Sequence, residues 1–140
     1  MIPLTRQEEA VRDLLLDEQL SFESHHVFEL PPTSPQRGLS VDFLVFLGSG
    51  IAIECTACNR NRGSALSEMR RRSAFIDYRF ALLKTFLPKL ACGAFVEAPS
   101  EDQDRLATEL GPYLKHADFL VRTSEEFRHE LGKLRGSMGK

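Results

Sequence analysis

The sequence predicts an α/β fold in which a mixed sheet is flanked by helices, in the order α-β-β-β-α-β-α-β-α. Three observations predict it. Amphipathic stretches of helical period alternate with short runs rich in Val, Ile and Phe. The runs on either side of "GSG" have the form of a hairpin. A long helix lies between the strand that begins at residue 51 and the one that reaches residue 97, and such a βαβ crossover makes those two strands parallel. The core is therefore read as α-β-β-β-α-β with a C-terminal α-β-α extension. One domain is expected over residues 1–135, with a flexible tail over 136–140.

The first helix is expected over residues 5–20, "TRQEEAVRDLLLDEQL". Thr5 is its N-cap, and Glu8 stands where a capping box needs an acid. Leu4, Glu8, Val11 and Leu15 fall on one helical stripe, so Glu8 is expected to face inward and Glu9 outward. "HHVFEL" reads as a short strand. "PPTSPQRG" reads as a loop, because three prolines and a glycine cannot sustain a ladder. "LSVDFLVF" and "IAIECT" are the hairpin strands. A long helix is expected from Ser64 to Leu87, stopped by Pro88. Its inward stripe is Leu66, Met69, Ser73, Ile76, Phe80, Leu83 and Leu87. Phe75, Leu82 and Phe86 widen that stripe, which predicts a largely buried helix. "CGAFVEA" is a strand, "SEDQDRLATEL" a helix capped by Ser100, "DFLVRT" a strand and "SEEFRHELGKL" the last helix.

Bulk properties exclude several classes. No apolar run is long enough for a transmembrane helix, and "MIPLTRQEEA" lacks the regions of a secretory signal, so a cytoplasmic location is expected. The three cysteines, Cys55, Cys58 and Cys92, are expected to be reduced thiols. The chain has no Gly-rich phosphate loop, G-x-S-x-G elbow or H-E-x-x-H motif, which removes nucleotide-fold kinases, α/β-hydrolases and zincins. Formal net charge is only −2, yet Arg60 to Lys84 contains seven basic residues against two acids. That run is a candidate footprint for a nucleic-acid backbone, with Arg60, Arg62, Arg70 and Arg72 as the contacts. The plainer reading of the same run is a solvated helix face.

The hairpin holds the main chemical lead. Asp42 and Glu54 stand in otherwise apolar strands on either side of the turn, and a buried carboxylate is costly unless it is paired or bound to a cation. Strand alternation puts Glu54 and Thr56 on one face and turns Cys55 away. Asp42 and Glu54 lie at similar distances from the tip, which suits a diagonal neighbour relation and does not establish a direct pair. Two carboxylates at one sheet edge make a hard, oxygen-rich site suited to Mg²⁺ or Mn²⁺, with Glu8 as a third acid. "CTAC" has the spacing of a zinc or redox pair, with His25 or His26 as the further zinc ligand, but one lone pair is weak support. His25 and His26 are adjacent on a strand and so face opposite ways.

Helix with an acid, strand, "VDFLV", tight turn, "IAIECT" and long helix: this order resembles the restriction-endonuclease-like nucleases, the PD-(D/E)xK superfamily, over about residues 5–98. The resemblance implies that Asp42 matches the motif aspartate, Glu54 the second acid and Glu8 the glutamate of the first helix. Thr56 falls where the family's lysine normally stands, and a threonine cannot supply its positive charge. Arg60, Arg62 and Arg72 are the nearest replacements, and Lys84 is further along the helix. The implied activity is Mg²⁺- or Mn²⁺-dependent hydrolysis of DNA, structure-selective given the small size of the domain, often by a homodimer. The alternatives are a nuclease-fold protein that only binds nucleic acid or a protein partner, and a small-ligand-binding α/β domain.

Overall fold

The computed structural model describes residues 4–57, 65–97 and 109–138. Within them the chain is α/β. Helix α1 (Arg6–Asp17) leads to strands β1 (Phe22–Glu29), β2 (Gly38–Val45) and β3 (Ile51–Ala57), then helix α2 (Ala65–Phe86) and strand β4 (Ala91–Glu97). A 3₁₀ turn (Gly111–Tyr113), strand β5 (Phe119–Val121) and helix α3 (Ser124–Met138) complete it. The five strands form one mixed sheet in the order β1-β2-β3-β4-β5. The first three are antiparallel, and β3, β4 and β5 are parallel, as the crossover requires.

Two apolar layers enclose the sheet. On one face Ile76, Phe80, Leu82 and Leu83 of α2 pack against Leu39, Val41, Ala52 and Ala94. On the other, Val11, Leu14 and Leu15 of α1 and Phe127 and Leu131 of α3 pack against Phe43, Val45, Ile51 and Ile53. Gly93 lets the layers close: a Cβ there would meet the Phe119 ring at 2.0 Å.

The local signals hold for most elements. α1 is capped by Thr5, whose hydroxyl accepts the Glu8 N–H while the Glu8 carboxylate accepts the Thr5 N–H. The helix is shorter than the apolar pattern predicts, because Gln19 turns into the left-handed region (φ 57°) and ends it. β1 begins at Phe22, earlier than "HHVFEL" predicts. α3 continues to Met138, into residues whose composition predicts a tail. The helix expected over 100–110 falls mainly on residues outside those described. Among the described residues, no helix is long and apolar enough to cross a membrane.

Two departures shape the site. In α2, Met69, Ser73, Ile76, Phe80 and Leu83 are buried as expected, and Leu82 with them. Phe75, one of the residues that widen the stripe, is 60% exposed, and Leu87, expected on the inward stripe but just past the helix end, is 39% exposed. The layer that covers Leu82 does not reach a turn or two back to Phe75.

The second departure is a reversal of alternation in β1 and β2. Leu39 and Val41 belong to the α2 layer, but Phe43 and Val45, at the same parity, belong to the α1 layer. β1 does the same, with Phe28 against one layer and Phe22 against the other. A regular strand keeps one parity on one face. The switch falls between the pairs Ser24↔Phe43 and His26↔Val41, where His25 takes φ 53°. The residues at that break are His25 and Asp42.

Candidate functional site

The β2–β3 ladder pairs Val45↔Ile51, Leu44↔Ala52 and Phe43↔Ile53, and stops there. Asp42 and Glu54 occupy the next position in the same register. In place of a backbone bond, Asp42 Oδ2 accepts the Cys55 N–H at 2.7 Å. Glu54 lies beside it on β3, near enough for the Asp42 charge and backbone to bear on its carboxyl group. Asp42 is thus fixed by the strand that carries Glu54, and the register sets the two acids opposite each other instead of diagonally.

Glu8 joins Asp42 from α1. It is buried on the inward side while Glu9 is exposed. The donor atoms of Glu8, His25 and Asp42 all lie within 4.8 Å of one another. His25 Nε2 is buried without a hydrogen-bond partner, and Glu8 Oε1 is 3.8 Å away. The alternation break supplies the third member: with His25 in the left-handed region, its ring turns to the α1 side, while the His26 ring packs edge-on against Phe28. Histidine tolerates that region better than most side chains.

Glu54 faces the other side of the sheet. Its Oε2 accepts from Arg79 Nη2 of α2 at 3.2 Å, and the residue is only 4% exposed. A cavity of about 330 Å³ opens there, lined by Glu54, Thr56, Arg72, Phe75 and Arg79 among others. Thr56 and Glu54 therefore share a face, as alternation predicts. Gln7 holds α1 over this end of the sheet, donating from Nε2 to the carbonyl oxygens of Thr56 and Phe95.

The acids carry displaced pKa values. Burial pushes Asp42 up to about 6; the Cys55 N–H works against that rise, and contact with the Glu8 carboxyl group adds to it. Burial, and then the charge of Asp42, push Glu54 up to about 8, against the pull of Arg79 and the Asp42 backbone. Burial also raises the thiols, Cys55 well above the usual range and Cys92 to about 12. Neither is a ready nucleophile.

The basic residues are divided. Arg72 lines the cavity beside Glu54. Arg70 is bound to Glu109 at 2.6 Å, and Lys84 to Asp118 at 2.7 Å. Arg60 and Arg62 lie outside the described residues, as does Cys58 of the "CTAC" pair. Arg79 and Gln7 are absent from the candidates that the sequence offers, and His25 is among them only as a zinc ligand for the "CTAC" pair. Arg79 was visible only as one of seven basic residues, because its link to Glu54 spans 25 positions. No sequence signal marks the turn at His25.

No family model, curated protein or solved structure matches the chain.

Proposed function

We propose that the chain is a metal-dependent nuclease with a restriction-endonuclease-like core, acting on DNA phosphodiester bonds. The observation that carries this reading is the convergence of Glu8, His25 and Asp42 at the position where the β2–β3 ladder stops. Two carboxylates and an imidazole with an unpartnered nitrogen form a suitable donor set for a divalent cation. Pure oxygen sites suit Mg²⁺, whereas an imidazole moves the preference toward first-row transition metals, among which Mn²⁺ is the one that also favours carboxylates. A cation held there supplies Lewis-acid polarisation of a phosphate oxygen and a more acidic water.

In this reading Glu8 and Asp42 provide the negative charge and His25 the nitrogen. Glu54 has a different task from the one the resemblance gives it: it steadies Arg79 instead of binding the cation. Arg79 and Arg72, on the α2 side where Thr56 replaces the motif lysine, hold flanking phosphates of the strand and not the phosphate at the cation. Cleavage of branched, single-stranded and duplex DNA with Mn²⁺ or Mg²⁺ tests the proposal. Expected are nicked products that vanish with chelator and fall at least about a hundredfold in Asp42→Asn, because the cation that stabilises charge in the transition state would lose a carboxylate ligand. Absence of cleavage on every substrate with either cation would reject it.

One observation favours a second reading. Glu54 is buried and already engaged by Arg79, which suits a protein that binds nucleic acid without cutting it. Such a protein would retain salt-sensitive DNA binding and show no products.

A further inference from the structure

On α2, two aromatic rings are exposed, and the first of them lines the cavity that holds Glu54, Arg72 and Arg79. Phe75 is 60% and Tyr78 47% exposed. They are three residues apart and so are neighbours on the helix surface. Phe75 lines the same cavity as Arg72 and Arg79, and Arg79 Nε is buried with no hydrogen-bond partner. A large ring left open beside guanidinium groups does not serve the core, whose apolar stripe runs along Met69, Ile76, Phe80 and Leu83.

We infer that Phe75, with Tyr78 beside it, is a stacking platform for unpaired bases, which makes single-stranded nucleic acid the ligand of this cleft. Every base offers a π face, and unpaired bases can reach an aromatic ring that stacked duplex bases cannot. The arginines alongside fit the accompanying phosphates. An apolar protein partner would be served by the rings but has no use for the guanidinium groups lining the same cavity. The inference rests on the nucleic-acid half of the proposed function, not on catalysis.

The chain has no tryptophan, so Phe75→Trp introduces a single reporter at the platform. Titration with oligothymidylate in the presence of chelator separates binding from cleavage. Expected are saturable quenching of the new tryptophan, weakening with salt, and little quenching by a hairpin duplex. Phe75→Ala and Phe75→Leu should each weaken oligothymidylate binding about tenfold or more, and Phe75→Tyr should retain it. Thermal melts of the variants confirm folding. Equal binding by Phe75→Leu and the parent protein would overturn the inference, as would absence of quenching. Sedimentation showing a dimer that Phe75→Ala dissociates, with DNA affinity unchanged, would assign the rings to a second copy of the chain and overturn it too. Quenching without cleavage in the metal-supplemented assay would retain this inference and reject the nuclease.

Discussion

At the scale of the residue, the site is defined by acids that sit where charge is expensive. Glu54 binds its proton more tightly in the folded chain than its ordinary value of 4.5 would allow, with a pKa of about 8. A group shifted in that direction favours folding at pH below the ordinary value, and the contribution is lost as pH rises through the folded value. Asp42 acts in the same direction up to about 6. The metal-free protein should therefore lose stability between about pH 5 and about pH 8, a drop readable as a falling urea midpoint. Glu54→Gln should flatten most of that slope. Glu126 does the opposite in a separate window: its hydrogen bonds with Arg122 lower its pKa, so its contribution is present above 4.5 and fades in more acid solution.

At the scale of the element, α1 carries the glutamate and Gln7 positions α1. The Gln7 side chain reaches two strand carbonyl oxygens from a nearly buried position. Gln7→Ala should cost about 1–3 kcal/mol, the usual penalty for stranding buried polar groups. It should also weaken Mn²⁺ binding, because Glu8 sits one residue further along. Calorimetry with Mn²⁺ and urea unfolding would measure the two effects. The elements were largely legible in the sequence: period, capping box, proline stops and the crossover placed both antiparallel and parallel strands. Glu8 and Asp42 were legible because acids on apolar faces are anomalous. His25 was not, since a strand pattern assumes constant parity and cannot announce where the parity switches. Phe75 was misread because an apolar letter beside a helical stripe says nothing of how far the covering layer extends. Arg79 was missed because its contact with Glu54 exists only after α2 has folded across the sheet.

At the scale of the whole molecule, Glu8, His25 and Asp42 come from α1, β1 and β2, so one cation would tie three elements together. Binding to the folded chain alone stabilises it by about 2.7 kcal/mol at a hundred times Kd. Mn²⁺ should accordingly raise Tm by several degrees in the parent protein and hardly at all in Asp42→Asn, as followed by thermal denaturation. The rise should grow with pH through about 6, as protons leave Asp42.

The hydrogen bond that Cys55 N–H donates to Asp42 Oδ2 has a further consequence. Most strand amides answer to a neighbouring backbone, whereas this one answers to a titrating carboxylate. Its resonance in a nitrogen–proton correlation spectrum should move with the ionisation of Asp42 and move again when a cation competes for the same carboxylate. The backbone of β3 thus contains a spectroscopic gauge of the site, readable without a label on any functional side chain.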